Sequence, residues 1–308
     1  LSQVLSNTTL LIGGGQTFPN LVTAWTYALY ARVADGVYLH FYISTARGDF
    51  QEDFGGPFLL DHGSGARIAI LGDNLNNVYF TFFGTNAFII DTGHSLNTLS
   101  GFSVTNQSSG NTALKADGNA TISAVSAVIF NNFLIDLQST QNSTMTVESN
   151  CIFEQVGSEV ADVESNGSLY CPGGLTATGP GTNTLAQGFY AASGGVIIAP
   201  SSSLTAFGTG VQATSGAKIL IDTATLSQCS AGIVSFYEGY VQCERGNIGG
   251  GSVGCDATER GVIDVTSATV TGDSSEDLQA SDGGFIDGTL CFYGSLSVGS
   301  NDDSYIQP

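Results

Sequence analysis

The residues best placed to do chemistry are carboxylates. Asp222 precedes Glu244 by 22 residues, and Asp264 precedes Asp287 by 23. Those offsets matter only if the backbone returns to the same place about every 22 residues, in which case each pair stands about 5 Å apart, one strand spacing. Two carboxylates that close raise one pKa, as a general acid at neutral pH requires, and glycoside cleavage uses such a pair. The alternative is that the four side chains splay into solvent and keep an acidic rod soluble. On the sequence alone both readings stand.

A second set is aromatic. Tyr237 and Tyr240 flank Glu238 where neighbouring segments carry small residues such as Ser215. Such rings stack on sugars, which makes Tyr237, Glu238 and Tyr240 candidate ligand contacts; packing at a subunit interface is the competing reading. Asp49, Glu52 and Asp53, and separately Glu154, Glu159, Asp162 and Glu164, read as acidic loops with oxygen ligands for a hard cation. Neither matches an EF-hand, so solvated loops are expected. His40, His62 and His94 show no zinc spacing and join no serine nucleophile motif. Six cysteines lack any CxxC pair. Cys151 and Cys171, 20 apart, either reach a disulfide across a short coil or stay reduced inside a ladder. No metal and no cofactor is expected.

What must position these residues is a repeat. GFYAASGG from Gly188, GVQATSGA from Gly210, GIVSFYEG from Gly232 and GCDATERG from Gly254 follow at 22-residue steps, and DLQASDGG from Asp277 follows at 23. Phe189, Val211, Ile233, Cys255 and Leu278 share one position; Ala191, Ala213, Ser235, Ala257 and Ala280 share another. Two further columns read Ile197, Ile219, Val241, Ile263, Ile286 and Leu204, Leu226, Ile248, Val270. Several short strands per unit, each sending an apolar residue to the same interior column, describe a coil whose turns stack in parallel. Gly195, Gly239, Gly261 and Gly284, with Ala217, mark a corner where a Cβ is poorly tolerated. The fold class is therefore all-β, a parallel β-helix of roughly ten coils, and crossover rules favour the right-handed sense. Upstream, ALKADGNATISAV and DVESNGSLY carry a weaker form of the unit.

Composition agrees. The chain has 308 residues, 41 Gly and 11% charged residues, suiting short strands and uncharged turns. A formal charge of −20 repels phosphate backbones and anionic membranes, so no nucleic acid is expected as a partner. No apolar run approaches ~18 residues and no basic segment precedes one, so neither membrane insertion nor a leader is expected. Five N-x-S/T triplets, at Asn7, Asn106, Asn119, Asn142 and Asn166, are read as coincidence in a chain rich in Asn, Ser and Thr.

Residues 18–34 space Phe18, Leu21, Trp25, Ala28 and Leu29 by three and four, predicting an amphipathic helix that caps the open end of the stack. The expected division is an amino-terminal cap over 1–77 and the β-helix over 78–308. The order GGGQTFPNL, helix, GVYLHFYI, then H-x-x-G-x-R-I-x-I-x-G from His62 to Gly72 and IIDTGHSLNTLSGFSVTN from Ile89 resembles the pectin-lyase-like β-helix of bacteriophage tail fibres and tailspikes. The resemblance covers residues 9–106. It implies a homotrimeric virion tail protein, assembled in the host cytoplasm beside other tail proteins, that adsorbs to a bacterial surface polysaccharide. A depolymerising glycoside hydrolase or lyase on the same scaffold is the alternative; the lyase version suffers from the scarcity of Lys and Arg.

Overall fold

The computed structural model describes residues 3–108, 111–182, 184–249, 251–271, 276–298 and 303–307. The backbone winds into a parallel β-solenoid of about ten turns. From Gln187 to Thr271 each coil contributes three short strands, as in Thr209–Thr214, Lys218–Leu220 and Thr225–Ser227. Each strand pairs in parallel with its counterparts one coil before and after. We call the three resulting sides the first, second and third sheets.

The inferred columns are the observed register. Phe189 pairs with Val211, Val211 with Ile233, Ile233 with Cys255, and Cys255 with Leu278. In the second sheet one column runs Leu96, Ile122, Met145, Leu169, Ile197, Ile219, Val241, Ile263, Ile286, Ile306, and every member is buried. The third sheet continues Leu204, Leu226, Ile248, Val270 back to Phe153 and Phe130, whose rings stack at 5.5 Å. Side-chain period two along each strand, repeated once per turn, thus fills one continuous interior.

The corner between first and second sheets has its own chemistry. Two successive residues there adopt positive φ in coil after coil, including Gln141 and Asn142, Ser165 and Asn166, Ser193 and Gly194, Tyr237 and Glu238, Glu259 and Arg260. Asn and Gly tolerate that geometry best. Three of the N-x-S/T triplets follow from it: Asn119, Asn142 and Asn166 hold the second left-handed position, and Thr121, Thr144 and Ser168 open the next strand. Gly239, Gly261 and Gly284 come one step later with ordinary φ. A Cβ on them would run into the carbonyl oxygens of Ala213, Ser235 and Ala257 in the preceding coil.

Parallel pairing is continuous across residues 77 and 78. Thr8–Ile12 pairs with Leu39–Ile43, which pairs with Ile68–Gly72, which pairs with Ser95–Asn106. The helix is shorter than expected, Leu21–Ala28 rather than 18–34. Asn20 starts it by accepting the Thr23 amide at 2.8 Å, and buried Glu52 accepts the Leu21 and Val22 amides at 2.7 and 3.1 Å. Beyond it the apolar spacing serves a strand, Arg32–Val33, paired with Gln3–Val4. Trp25 is core, 5.2 Å from the Phe41 ring and 5.6 Å from Phe58.

The phrase from His62 to Gly72 has a structural explanation. His62 Nε2 donates to the Ala28 carbonyl at 2.9 Å while its Nδ1 accepts the Ser64 amide at 2.9 Å. Gly65 lies so close beneath the Ser95 carbonyl that no Cβ fits. Arg67 donates to the Val33 carbonyl at 2.7 Å and pairs with Asp35. Histidine, glycine and arginine together staple the amino-terminal segment to the first coils.

Candidate functional site

On the second sheet the outward rows are short and aligned. One runs Lys218, Tyr240, Val262, Phe285, Tyr305; the next runs Leu220, Gln242, Asp264, Asp287, Gln307. Asp222 and Glu244 follow two residues after Leu220 and Gln242, at the exit of their strands. The register therefore brings Tyr240 together with all four predicted carboxylates. The Tyr240 phenol is pushed above its ordinary pKa by burial first, then by Asp264, Glu244, Asp222 and Asp287.

The carboxylates themselves are engaged. Asp222 Oδ1 accepts the Glu244 amide at 3.0 Å, and the Gln242 side-chain amide sits between Asp222 at 3.3 Å and Glu244 at 3.2 Å. Asp264 accepts the amide and hydroxyl of Thr266 at 3.0 and 2.8 Å; Asp287 repeats the motif with Thr289 at 3.0 and 2.6 Å. Tyr240 donates to Gln242 at 3.1 Å, and the Lys218 ammonium lies 5.2 Å from its ring centre. Phe285 and Tyr305 stack at 5.8 Å further along the row.

Tyr237 and Glu238 stand apart from Tyr240. They occupy the left-handed corner, where Glu238 meets Arg260 of the next coil at 3.0 Å and Tyr237 bonds to Glu259. A turn thus splits three residues that adjacency had grouped.

A second cluster lies on the first sheet, formed by residues expected in a solvated loop. Glu159 and Asp162 belong to strand Glu159–Val163. Burial, then Asp162 and Glu164, pushes the Glu159 carboxyl up to about 7. Asp162 is raised to about 6 by burial first, although Gln138 donates to it at 2.7 Å. Tyr190, which pairs in register with Asp162, is raised by burial and by Glu164, Asp162 and Glu159. The weak unit DVESNGSLY, set in phase with Tyr190 by the 28-residue ladder offset, was the signal that could have located this pair on a strand.

The other acidic group is likewise a strand, Phe50–Phe54, with Glu52 turned inward to the helix. Among the described residues no three His, Cys, Asp or Glu side chains are grouped to hold a metal. His94 Nδ1 bonds the Asp91 carbonyl at 2.8 Å, a turn contact. Cys151 and Cys171 are buried free thiols.

These observations define a parallel β-solenoid with polar and aromatic rows on its outer faces. No family model matches the sequence, and neither a curated protein nor a solved structure matches it.

Proposed function

We propose that the chain is a receptor-binding fibre of the tail-fibre and tailspike kind, right-handed and homotrimeric in the virion, which adsorbs to a bacterial surface polysaccharide. The observation that carries this reading is the second-sheet row around Tyr240. Aromatic faces at Tyr240, Phe285 and Tyr305 suit the apolar sides of sugar rings, and the adjoining row of Gln242, Asp264 and Asp287 accepts hydroxyl protons. A straight row repeating once per coil matches a polymer better than a small solute. The test is co-sedimentation with capsulated bacteria. Binding should fall at least tenfold for Tyr240→Ala and for cells stripped of capsule; equal binding to stripped cells defeats the proposal.

Glycan cleavage is the second reading, and what favours it is Glu159 beside Asp162 rather than Asp222 beside Glu244. A carboxyl near 7 keeps a proton to donate at neutral pH while a partner near 6 is largely ionised. A clearing halo on a capsulated lawn, lost in Glu159→Gln with adsorption intact, supports it. No halo from the unaltered protein removes it.

A further inference from the structure

The 22-residue period breaks upstream of Gln187, and in that stretch the third sheet carries relief. Ser168 pairs with Val196, 28 positions on, and the added length falls between strands Thr176–Thr178 and Gln187–Ala191. Two hollows open on that side and share Glu154. One, of about 280 Å³, is lined by Tyr79, Ser103, Thr105, Ile129, Asn131 and Glu154, with Asn76. The other, of about 600 Å³, is walled by Phe153, Val156 and Pro180 beside Glu154. They form one line because Thr81, Thr105, Asn131 and Glu154 are successive rungs, as are Tyr79, Ser103, Ile129 and Ile152.

We propose that a neutral oligosaccharide lies in this groove, crossing the coils from Tyr79 to Pro180 with Glu154 at its centre. The inference rests on the glycan-binding reading but places a contact on a different side from Tyr240. Its chemistry comes from the lining. Tyr79, 36% exposed, and the partly buried Ile129, with Pro180, give apolar surface for ring faces. Thr105, Asn131 and Glu154 supply donors and acceptors for hydroxyl groups, and Asn131 already orients Glu154 by a 3.0 Å bond. Neither hollow has a Lys or Arg in its described lining, and the chain carries −20, so an anionic sugar would meet repulsion without a counter-charge.

Saturation-transfer NMR on the full chain tests this, with dextran, mannan and maltose hexasaccharides as neutral probes and hexagalacturonate as the anionic one. At least one neutral probe should bind, at least tenfold more weakly to Glu154→Ala and to Asn131→Ala, while Ser193→Ala, exposed at the corner between the first and second sheets, binds like the unaltered chain. Unfolding midpoints verify that each variant is folded. Binding that survives both groove variants but falls in Tyr240→Ala overturns the groove and leaves the adsorption reading standing. Binding of the anionic probe alone also overturns it. If no neutral probe binds, the groove assignment fails; if capsulated cells are not bound either, the adsorption reading fails with it.

Discussion

Replacing Glu159 by Gln removes a carboxyl that the fold holds largely out of water beside Asp162 and Glu164. Its pKa rises from an ordinary 4.5 to about 7. A carboxyl whose folded pKa is raised binds its proton more tightly in the native state. Its contribution is therefore fully present below 4.5 and lost as pH rises through about 7. At about 1.4 kcal/mol per pKa step, the loss approaches about 3 kcal/mol. Asp162, raised from 3.8 to about 6, adds a parallel decline that the substitution leaves in place. Urea unfolding measured from about pH 4 to about pH 8 should show the Glu159→Gln variant gaining on the unaltered chain by about 2–3 kcal/mol across that range. A difference that stays constant with pH would refute the argument, because the carboxyl would then be as well solvated folded as unfolded.

Three further outcomes are expected. Ile219→Ala deletes buried volume between Ile197 and Val241 and should cost about 2–5 kcal/mol in denaturant unfolding. His62 has its pKa lowered, chiefly by burial, and protonation would remove the acceptor for the Ser64 amide; the staple is intact above 6.5 and weakens as pH falls below it. Fluorescence of Trp25, the sole tryptophan and 5.9 Å from the His62 ring, should report that loosening, with no transition in His62→Asn. Among the thiols, Cys151 and Cys243 are raised to about 12 by burial, whereas Cys291 is partly exposed and raised to about 11. Cys291 should therefore be the first to react with a thiol reagent in the native protein, and equal rates for all six would contradict the burial.

The columns from Phe189 to Leu278 and from Ile197 to Ile286 were legible because a constant step of 22 or 23 residues lets chemistry recur in phase. Upstream the step varies, 26 from Ser95 to Thr121, 23 from there to Thr144, and 28 from Ser168 to Val196. Phase cannot be carried through such changes, so Glu159 and Asp162 read as loop residues. The helical spacing extends past Ala28 because Ala31 and Val33 are also buried, Val33 in a strand paired with Val4. Tyr237 and Tyr240 looked like one patch because adjacency does not show a left-handed corner. The four carboxylates fell into register, yet their convergence on Tyr240 needed the side chains.

From Thr209 to Gly249 every coil is braced by the coils on either side through the same three ladders. Such a rod measures distance in whole windings. Excising residues 210–231, one full unit, would set Ile197 beneath Val241 and Leu204 beneath Ile248, each again an aliphatic on an aliphatic. Duplication or loss of one such unit would reset the rod's reach without redesigning the interior.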